Sequence, residues 1–145
     1  IVIAQSSGPA NWEFKLRVGA TLDLTATSSG RTLLAFQDKE RRAEMLNHIV
    51  QSNTDEAAQT ISEGKALTRE LDEIRRLDSR ISPSGQLVGV TDISTPVLAD
   101  DGNAVAVLTC PYIRRVHSAE QPSDQLDTES TNALMIEVAK KIAFL

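Results

Sequence analysis

The chain has 145 residues, of which 41% are hydrophobic, 24% charged and 3% aromatic, which is typical of one globular domain. Its 20 acidic and 15 basic residues give a net charge of −5, so we expect no direct binding to DNA or RNA. The single cysteine excludes an internal disulfide, and no apolar run approaches the ~20 residues of a membrane span, so we expect a cytoplasmic protein without membrane association.

The first part of the chain carries patterns typical of β-strands. Residues 1–4 form an apolar run, and apolar residues alternate with charged ones between residues 12 and 18. Leu22 and Leu24 continue the alternation on either side of Asp23. A period of two is typical of a strand with one buried and one solvated face, so three strands are predicted here. Because a strand pattern begins at Ile1, we expect the chain to be part of a longer polypeptide.

Three helices are predicted next. Small hydroxylated residues precede a run of good helix formers, which predicts a helix that begins near Ser28. A second amphipathic helix follows the charge run at residues 38–42, which we interpret as its solvated face. A third helix is predicted over residues 65–78, where the apolar positions are Leu67, Leu71, Ile74 and Leu77.

The rest of the chain predicts an antiparallel sheet and a last helix. Proline and glycine in residues 82–85 are expected to break the third helix, and β-forming residues follow. Two apolar runs, 97–98 and 104–108, flank a turn-rich segment and predict a hairpin. Residues 114–127 are predicted to form a loop. The apolar positions of the terminal helix are Leu134, Val138, Ile142 and Leu145. Helices grouped between hairpin-connected strands predict an α+β fold.

The predicted N-terminus of the helix near Ser28 is a candidate anion site. The first amides of a helix are unpaired and its dipole is positive at that end, so a carboxylate or phosphate is stabilised there. The small residues at positions 27–30 leave room for such a ligand. The alternative is an ordinary serine N-cap, which the residue pattern alone favours.

A second group of candidate polar residues lies around the predicted hairpin: Ser82, Asp92, Ser94, Thr95, Thr109 and Cys110. Aspartate is disfavoured inside strands, so Asp92 needs solvent, a partner or a function. Water at a sheet edge or a nearby arginine would satisfy it equally well. Cys110 is expected to be a small buried hydrophobic residue.

Metal and nucleophilic chemistry have little support in the sequence. Neither His48 nor His117 has a second strong donor at metal-ligand spacing. The sequence has no nucleophile elbow, no Walker loop and no dinucleotide-binding loop. We therefore expect no metal, no cofactor and no enzyme activity.

Two segments together resemble the effector-binding domain of IclR-type transcriptional regulators. Residues 25–36 are similar to the family's segment of small residues, Gly-Lys/Arg and Ala-Leu-Leu-Ala. Residues 89–97, followed by 101–109, are similar to its second signature: a Gly-Val lead, a strand, a turn and a Val/Ala strand. The resemblance implies a GAF- or profilin-like curved antiparallel sheet flanked by helices, with residues 1–145 forming one effector-binding domain. It also implies an N-terminal winged helix-turn-helix domain, absent from this chain, that binds operator DNA.

The resemblance also implies which residues bind the effector, a small organic acid. The backbone amides that hold its carboxylate fall on Ser28 and Ser29. A strand position that is commonly Cys in the family is Asp92 here, Thr109 lies at the end of the last strand, and a further acidic contact falls near Ser82. Because Asp92 would repel a plain 2-oxo acid, we expect an effector with a hydroxyl or amine donor.

These features give one leading hypothesis and two alternatives. The leading function is an allosteric sensor that acts as a homodimer or homotetramer and controls DNA binding by the missing domain. The alternatives are a ligand-free structural oligomerisation domain and, ranked last, a small-molecule enzyme. The oligomer contacts are expected on the exposed side of the terminal helix around Met135 and Ala139, or at the edge of the first strand.

Overall fold

The computed structural model describes residues 1–6, 16–52, 64–114 and 125–143. Within these residues three helices are followed by three strands and a last helix, which agrees with the predicted α+β fold. In chain order the elements are α1 (Ser28–Ala35), α2 (Lys39–Ser52), α3 (Gly64–Leu77), β1 (Arg80–Pro83), β2 (Thr91–Leu98), β3 (Ala104–Tyr112) and α4 (Thr128–Ala143).

The three strands form an antiparallel sheet in the order β1-β2-β3. The predicted hairpin is confirmed, since β2 and β3 are joined by a turn that two backbone hydrogen bonds of 2.9 Å close. Gly102 lies in this turn with φ of 80°, a conformation that glycine adopts without steric cost. The register shifts at Val97 and Leu98, which marks a bulge near the turn.

The core between α1 and α3 follows from their apolar spacing. Leu34 in α1 and Leu71 in α3 are fully buried, together with Ile74. The predicted helices at these positions are confirmed, with α1 beginning at Ser28. Leu77, predicted as part of the apolar stripe, is instead 51% exposed at the end of α3. The chain then leaves the helix through Asp78, which has φ of 56°.

Helix α4 packs on β2, on the side of the sheet away from α1. The terminal helix is confirmed, but the predicted apolar stripe is wrong in its orientation. Leu134, Val138 and Ile142 are 36–49% exposed, whereas Ala139 is only 2% exposed. The small alanine side chain allows the helix to approach the buried side chains of β2 closely. The expectation that Ala139 lies on the exposed side is therefore wrong.

The strand predicted around Asp23 does not form. Residues 21–23 are irregular and residues 24–26 form a turn, because the Asp23 carboxylate accepts hydrogen bonds from the following backbone. Such local bonds compete with a strand ladder. The run at residues 1–4 also forms no strand, although Val2 exchanges two 2.8 Å backbone hydrogen bonds with residues 19 and 20. Most of the predicted strand at 12–18 lies outside the described residues.

Two further predictions need correction. Residues 82–85 were expected only to break the third helix, but the strand β1 includes Ser82 and Pro83. Proline is tolerated there because β1 is at the edge of the described sheet and Pro83 is its last residue. The charge run at residues 38–42 lies mostly in the first turn of α2 and is not entirely solvated, since the half-buried Arg42 donates to the carbonyls of Leu34 and Ala35. Residues 115–124 of the predicted loop lie outside the described residues.

Candidate functional site

The turn that leads into α1 is fixed by short-range hydrogen bonds. Asp23 Oδ1 accepts from the amides of Thr25 and Ala26 at 2.7 and 2.5 Å. Burial raises the pKa of Asp23, but these bonds and the charge of Arg31 outweigh it, so the net pKa is lowered. Thr27 is the N-cap, and its hydroxyl accepts from the Gly30 amide at 3.0 Å. The serine N-cap considered above is therefore wrong, and the capping residue is a threonine.

Because Thr27 caps the helix, the side chains of Ser28 and Ser29 are not needed as N-caps. Within the described residues, the amides of Ser28 and Ser29 have no hydrogen-bond acceptor. Amides at these positions have no partner inside the helix. This N-terminus therefore keeps two donors and the positive end of its dipole for an anion.

Gly30 allows the turn to lie directly against α1. A Cβ at this position would come within 2.5 Å of the Asp23 carbonyl oxygen and of two Leu24 backbone atoms. These distances are shorter than van der Waals contacts, so a larger residue would push the turn away from the helix. The absence of a side chain at Gly30 thus permits the close packing of this turn on the first turn of α1.

Four hydroxyl groups form a chain between α1 and the hairpin. Ser29 Oγ lies 3.0 Å from Thr109 Oγ1, which lies 2.9 Å from Ser94 Oγ, and Ser94 donates to Ser28 Oγ at 2.9 Å. The sheet register explains the meeting, since Ser94 and Thr109 are direct cross-strand partners. The structure thus brings together three of the predicted site residues: Ser28, Ser29 and Thr109.

Counting one proton for each hydroxyl group shows which group donates in each hydrogen bond of the hydroxyl chain. Each hydroxyl carries one proton and can also accept. Because Ser94 gives its proton to Ser28, Thr109 must donate to Ser94, and Ser29 must donate to Thr109. The proton of Ser28 then has no acceptor among the described residues, although Ser28 is only 4% exposed. The hydroxyl chain therefore ends in a donor, the Ser28 hydroxyl, beside the two unpaired amides.

A second unsatisfied hydroxyl lies one helical turn further along. Thr32 is completely buried, and its Oγ1 has no hydrogen-bond partner in the described part of the chain. Spacings of three and four residues put it on the same face of α1 as Ser29 and Ser28. Buried polar atoms are nearly always hydrogen-bonded. The unpaired Oγ1 of Thr32, on the face of α1 that carries Ser28 and Ser29, is an exception to this rule.

The two remaining predicted residues lie in the neighbouring row of the sheet. Ser82 of β1 is opposite Asp92 of β2, and Asp92 is opposite Pro111 of β3. Alternation along β2 puts Asp92 on the same face as Ser94. Asp92 is half-buried, and its side chain forms no ion pair or hydrogen bond within the described residues. Its carboxylate is thus available as an acceptor next to the hydroxyl chain.

An ion network borders the site on the β1 side. Glu70 of α3 accepts from Arg80 Nε at 3.0 Å and Nη2 at 2.7 Å, and its other oxygen pairs with Arg31 of α1. Arg80 Nη1 also donates to Ser82 Oγ. Local sequence patterns do not indicate this network, because the charges of α3 have the spacing of an ordinary solvated face and Pro83 argues against a strand that carries Arg80. Ser94 was predicted only as a polar candidate of the hairpin, and its place between Ser28 and Thr109 depends on the sheet register.

The other candidates face away from the hydroxyl chain. Thr95 is buried on the opposite face of β2 and donates to the Asp78 carbonyl at 3.3 Å. Cys110 is half-buried, and burial together with the charge of Asp92 raises the pKa of its thiol.

A groove of about 260 Å³ lies between α4 and the end of β2, and Thr95 and Ala139 are among its lining residues. None of the predicted effector-binding residues lines this groove.

Metal-ligating side chains do not cluster in the described residues, where no group of three or more His, Cys, Asp or Glu is arranged to hold a metal ion. His117 lies outside the described part. None of the described helices combines the length and apolar character that crossing a membrane requires.

Residues 1–142 match the family described as the C-terminal domain of the bacterial transcriptional regulator IclR. The chain therefore belongs to this family, and the resemblance inferred from residues 25–36 and 89–109 is confirmed. Among curated proteins, none has a sequence that matches the chain.

Solved structures show the same fold. The IclR transcriptional regulator from Alicyclobacillus acidocaldarius is 19% identical with a TM-score of 0.68, over 98% of this chain and 54% of that chain. An IclR homolog from Microbacterium hydrocarbonoxydans, complexed with 4-hydroxybenzoate, is 24% identical with a TM-score of 0.61, over 92% and 50%. The inducer-binding domain of PobR from Acinetobacter, a double mutant complexed with 3-hydroxybenzoic acid, is 21% identical with a TM-score of 0.57, over 88% and 69%.

The chain spans about half the length of the first two of these proteins. Their common fold confirms the expected GAF-like α+β class.

Proposed function

We propose that this chain is the effector-binding domain of an IclR-type regulator and that it binds a small organic acid between the N-terminus of α1 and the β2–β3 hairpin. The observation that carries the proposal is the hydroxyl chain. It begins at Ser29, passes through Thr109 and Ser94, and ends in the unassigned proton of Ser28. That proton and the amides of Ser28 and Ser29 are donors, and donors at a helix N-terminus favour a carboxylate.

The site also favours a second group on the effector. The Asp92 carboxylate has no hydrogen-bond donor within the described residues, and a hydroxyl or amine on the ligand would supply one. An acid that also carries a hydroxyl group satisfies both ends of the site. The two hydroxybenzoates bound by the Microbacterium and Acinetobacter proteins have this combination. Ser82, opposite Asp92, is proposed to border the same end.

We further propose that the domain works in a longer cytoplasmic polypeptide. An N-terminal winged helix-turn-helix would bind operator DNA, while this acidic domain, with its net charge of −5, would bind only the effector. The regulator would be a homodimer or homotetramer. Binding controls DNA recognition only if the effector prefers one arrangement of the subunits, since equal affinity for two states shifts neither.

A binding role without turnover is part of the proposal. The family is that of a transcriptional regulator domain, and no nucleophile–base pair is present among the described site residues. We expect 4-hydroxybenzoate incubated with the protein to be recovered unchanged. A new product in mass spectrometry would favour the enzyme alternative instead.

The second candidate function is oligomerisation without a ligand. It is favoured by the apolar side chains that α4 exposes at Leu134, Val138 and Ile142, for which a second copy of this chain is the proposed partner. A protein that binds no acid but forms dimers or tetramers in sedimentation experiments would favour this alternative.

The test is calorimetric titration of 4-hydroxybenzoate into the 145-residue chain and into two isosteric variants. Thr109→Val removes the hydroxyl that links Ser29 to Ser94, and we expect an affinity loss of about fivefold to tenfold. Thr95→Val is the control, because it makes the same change on the opposite face of the sheet. Equal losses in both variants, or a loss only in the control, would contradict the proposed site.

A further inference from the structure

Arg80 is placed to reach the proposed effector from the β1 side. It begins β1 directly opposite Ser94, the central hydroxyl of the chain. Alternation along β1 puts Arg80 and Ser82 on one face, and the hydrogen bond between their side chains agrees with this. The Arg80 side chain is only 17% exposed, so it lies within the protein and not in solvent.

The guanidinium of Arg80 is held in position and still has free donors. An arginine carries five N–H groups in a fixed plane. Three of them donate to Glu70 and Ser82, through Nε, Nη1 and Nη2. One N–H on each Nη has no acceptor within the described residues. Because the plane is fixed by the bonds that are made, the direction of the two remaining donors is fixed as well.

Among the described residues, Arg80 shares its ion-pair partner with a second arginine. Glu70 pairs with both Arg80 and Arg31, while Arg31 also interacts with the charge of Asp23. The side chains of Arg31, Glu70 and Arg80 are 17–31% exposed, so water screens their charges only in part. No ion pair joins Asp92 to either arginine among the described residues. A carboxylate beside the free Nη donors would therefore be stabilised by the charge of Arg80.

We infer that Arg80 is a specificity-determining residue that binds the carboxylate of the effector opposite the N-terminus of α1. This inference rests on the proposed function. The amides and hydroxyl of the first turn of α1 contact the carboxylate from one side, and the free Nη donors of Arg80 contact it from the other. A neutral amide of the same shape loses the charge-assisted bonds, so Arg80 makes the site select acids.

The test compares 4-hydroxybenzoate with 4-hydroxybenzamide as probes. We expect the unmodified chain to prefer the acid by about tenfold to one-hundredfold, which is the usual strength of charge-assisted hydrogen bonds. In Arg80→Gln the preference should fall to the roughly twofold to fivefold that the helix N-terminus alone supports, with little change in the affinity for the amide. Arg76→Gln is the matched control, because it removes an arginine that is 67% exposed on α3 and that, within the described residues, pairs only with Glu73.

A second variant keeps the test decisive if Arg80→Gln does not fold, as judged by circular dichroism. Arg80→Lys retains the charge but not the planar pair of donors, and we expect its preference for the acid to lie between those of the unmodified chain and of Arg80→Gln. A folded Arg80 variant with the full preference for the acid would overturn the inference and leave the proposed function standing. If the unmodified chain binds neither probe nor any other hydroxy acid, the proposed function fails, and the role of Arg80 fails with it.

Discussion

Gly30 controls how closely the turn before α1 packs on that helix. Its replacement by alanine would put a Cβ within 2.5 Å of the Asp23 carbonyl oxygen, and backbone atoms have little freedom to move away. We predict that Gly30→Ala lowers the free energy of unfolding by roughly 1–3 kcal/mol, measured by urea denaturation. Gly64→Ala is the control, since in the described part of the chain no atom beyond its neighbours and its own helix lies within 4 Å of its Cβ position, and helix propensity favours alanine. Equal effects in the two variants would contradict the close approach.

The buried hydroxyl of Thr32 gives a second prediction at the residue scale. Its Oγ1 has no partner in the described residues, and an unsatisfied buried hydroxyl is destabilising. Valine has the same shape and the same branching at Cβ. We predict that Thr32→Val leaves the free energy of unfolding unchanged or raises it by up to about 1 kcal/mol. A clear loss of stability would show that the hydroxyl has a partner.

At the scale of elements, the turn over residues 23–27 depends on the ionised Asp23. Because hydrogen bonds and Arg31 lower its pKa below the ordinary value of 3.8, Asp23 stabilises the folded protein above that pH. The contribution is lost as the pH falls through the lowered pKa. We predict that Asp23→Asn is less stable than the unmodified chain at pH 7 and that the difference shrinks below about pH 4. Thermal unfolding of both proteins across this range is the measurement, and a difference independent of pH would be the opposite result.

Helix α4 gives a prediction from two adjacent positions. Ala139 is 2% exposed against the sheet, while Val138 is 36% exposed. A glutamate at position 139 would be an unpaired buried charge, so we predict that Ala139→Glu costs roughly 3 kcal/mol or more of unfolding free energy. Val138→Glu should cost less than about 1 kcal/mol. If the larger loss occurs at position 138, the orientation of the helix is wrong.

The elements also show how far a sequence can predict this fold. The hairpin and the helices α1, α3 and α4 follow from local patterns of glycine, proline and apolar spacing. The strand around Asp23 was wrong because a side chain replaced the ladder bonds, and β1 was missed because it is short and ends in proline. The face of α4 was wrong because a small residue packs most closely, and periodicity does not reveal which side receives the sheet.

At the scale of the whole molecule, the candidate site brings together residues far apart in the chain. The helix N-terminus at Ser28 was predicted from local sequence, as was Thr109 as a polar candidate of the hairpin, and the resemblance assigned Thr109 to effector binding. The hydroxyl of Ser94 joins them only through the antiparallel register of β2 and β3, and Arg80 enters only through that of β1. Such pairings depend on tertiary structure, which local patterns do not contain.

A titration of the isotope-labelled chain with 4-hydroxybenzoate, followed by amide chemical shifts, shows directly where the acid binds. We expect the largest changes at Ser28, Ser29, Ser94 and Thr109, around the hydroxyl chain. Changes confined to Thr95, Ile136 and Ala139 would instead place the ligand in the groove beneath α4 and contradict the proposed site. No change at any amide, in a folded chain at millimolar acid, would contradict binding of this acid altogether.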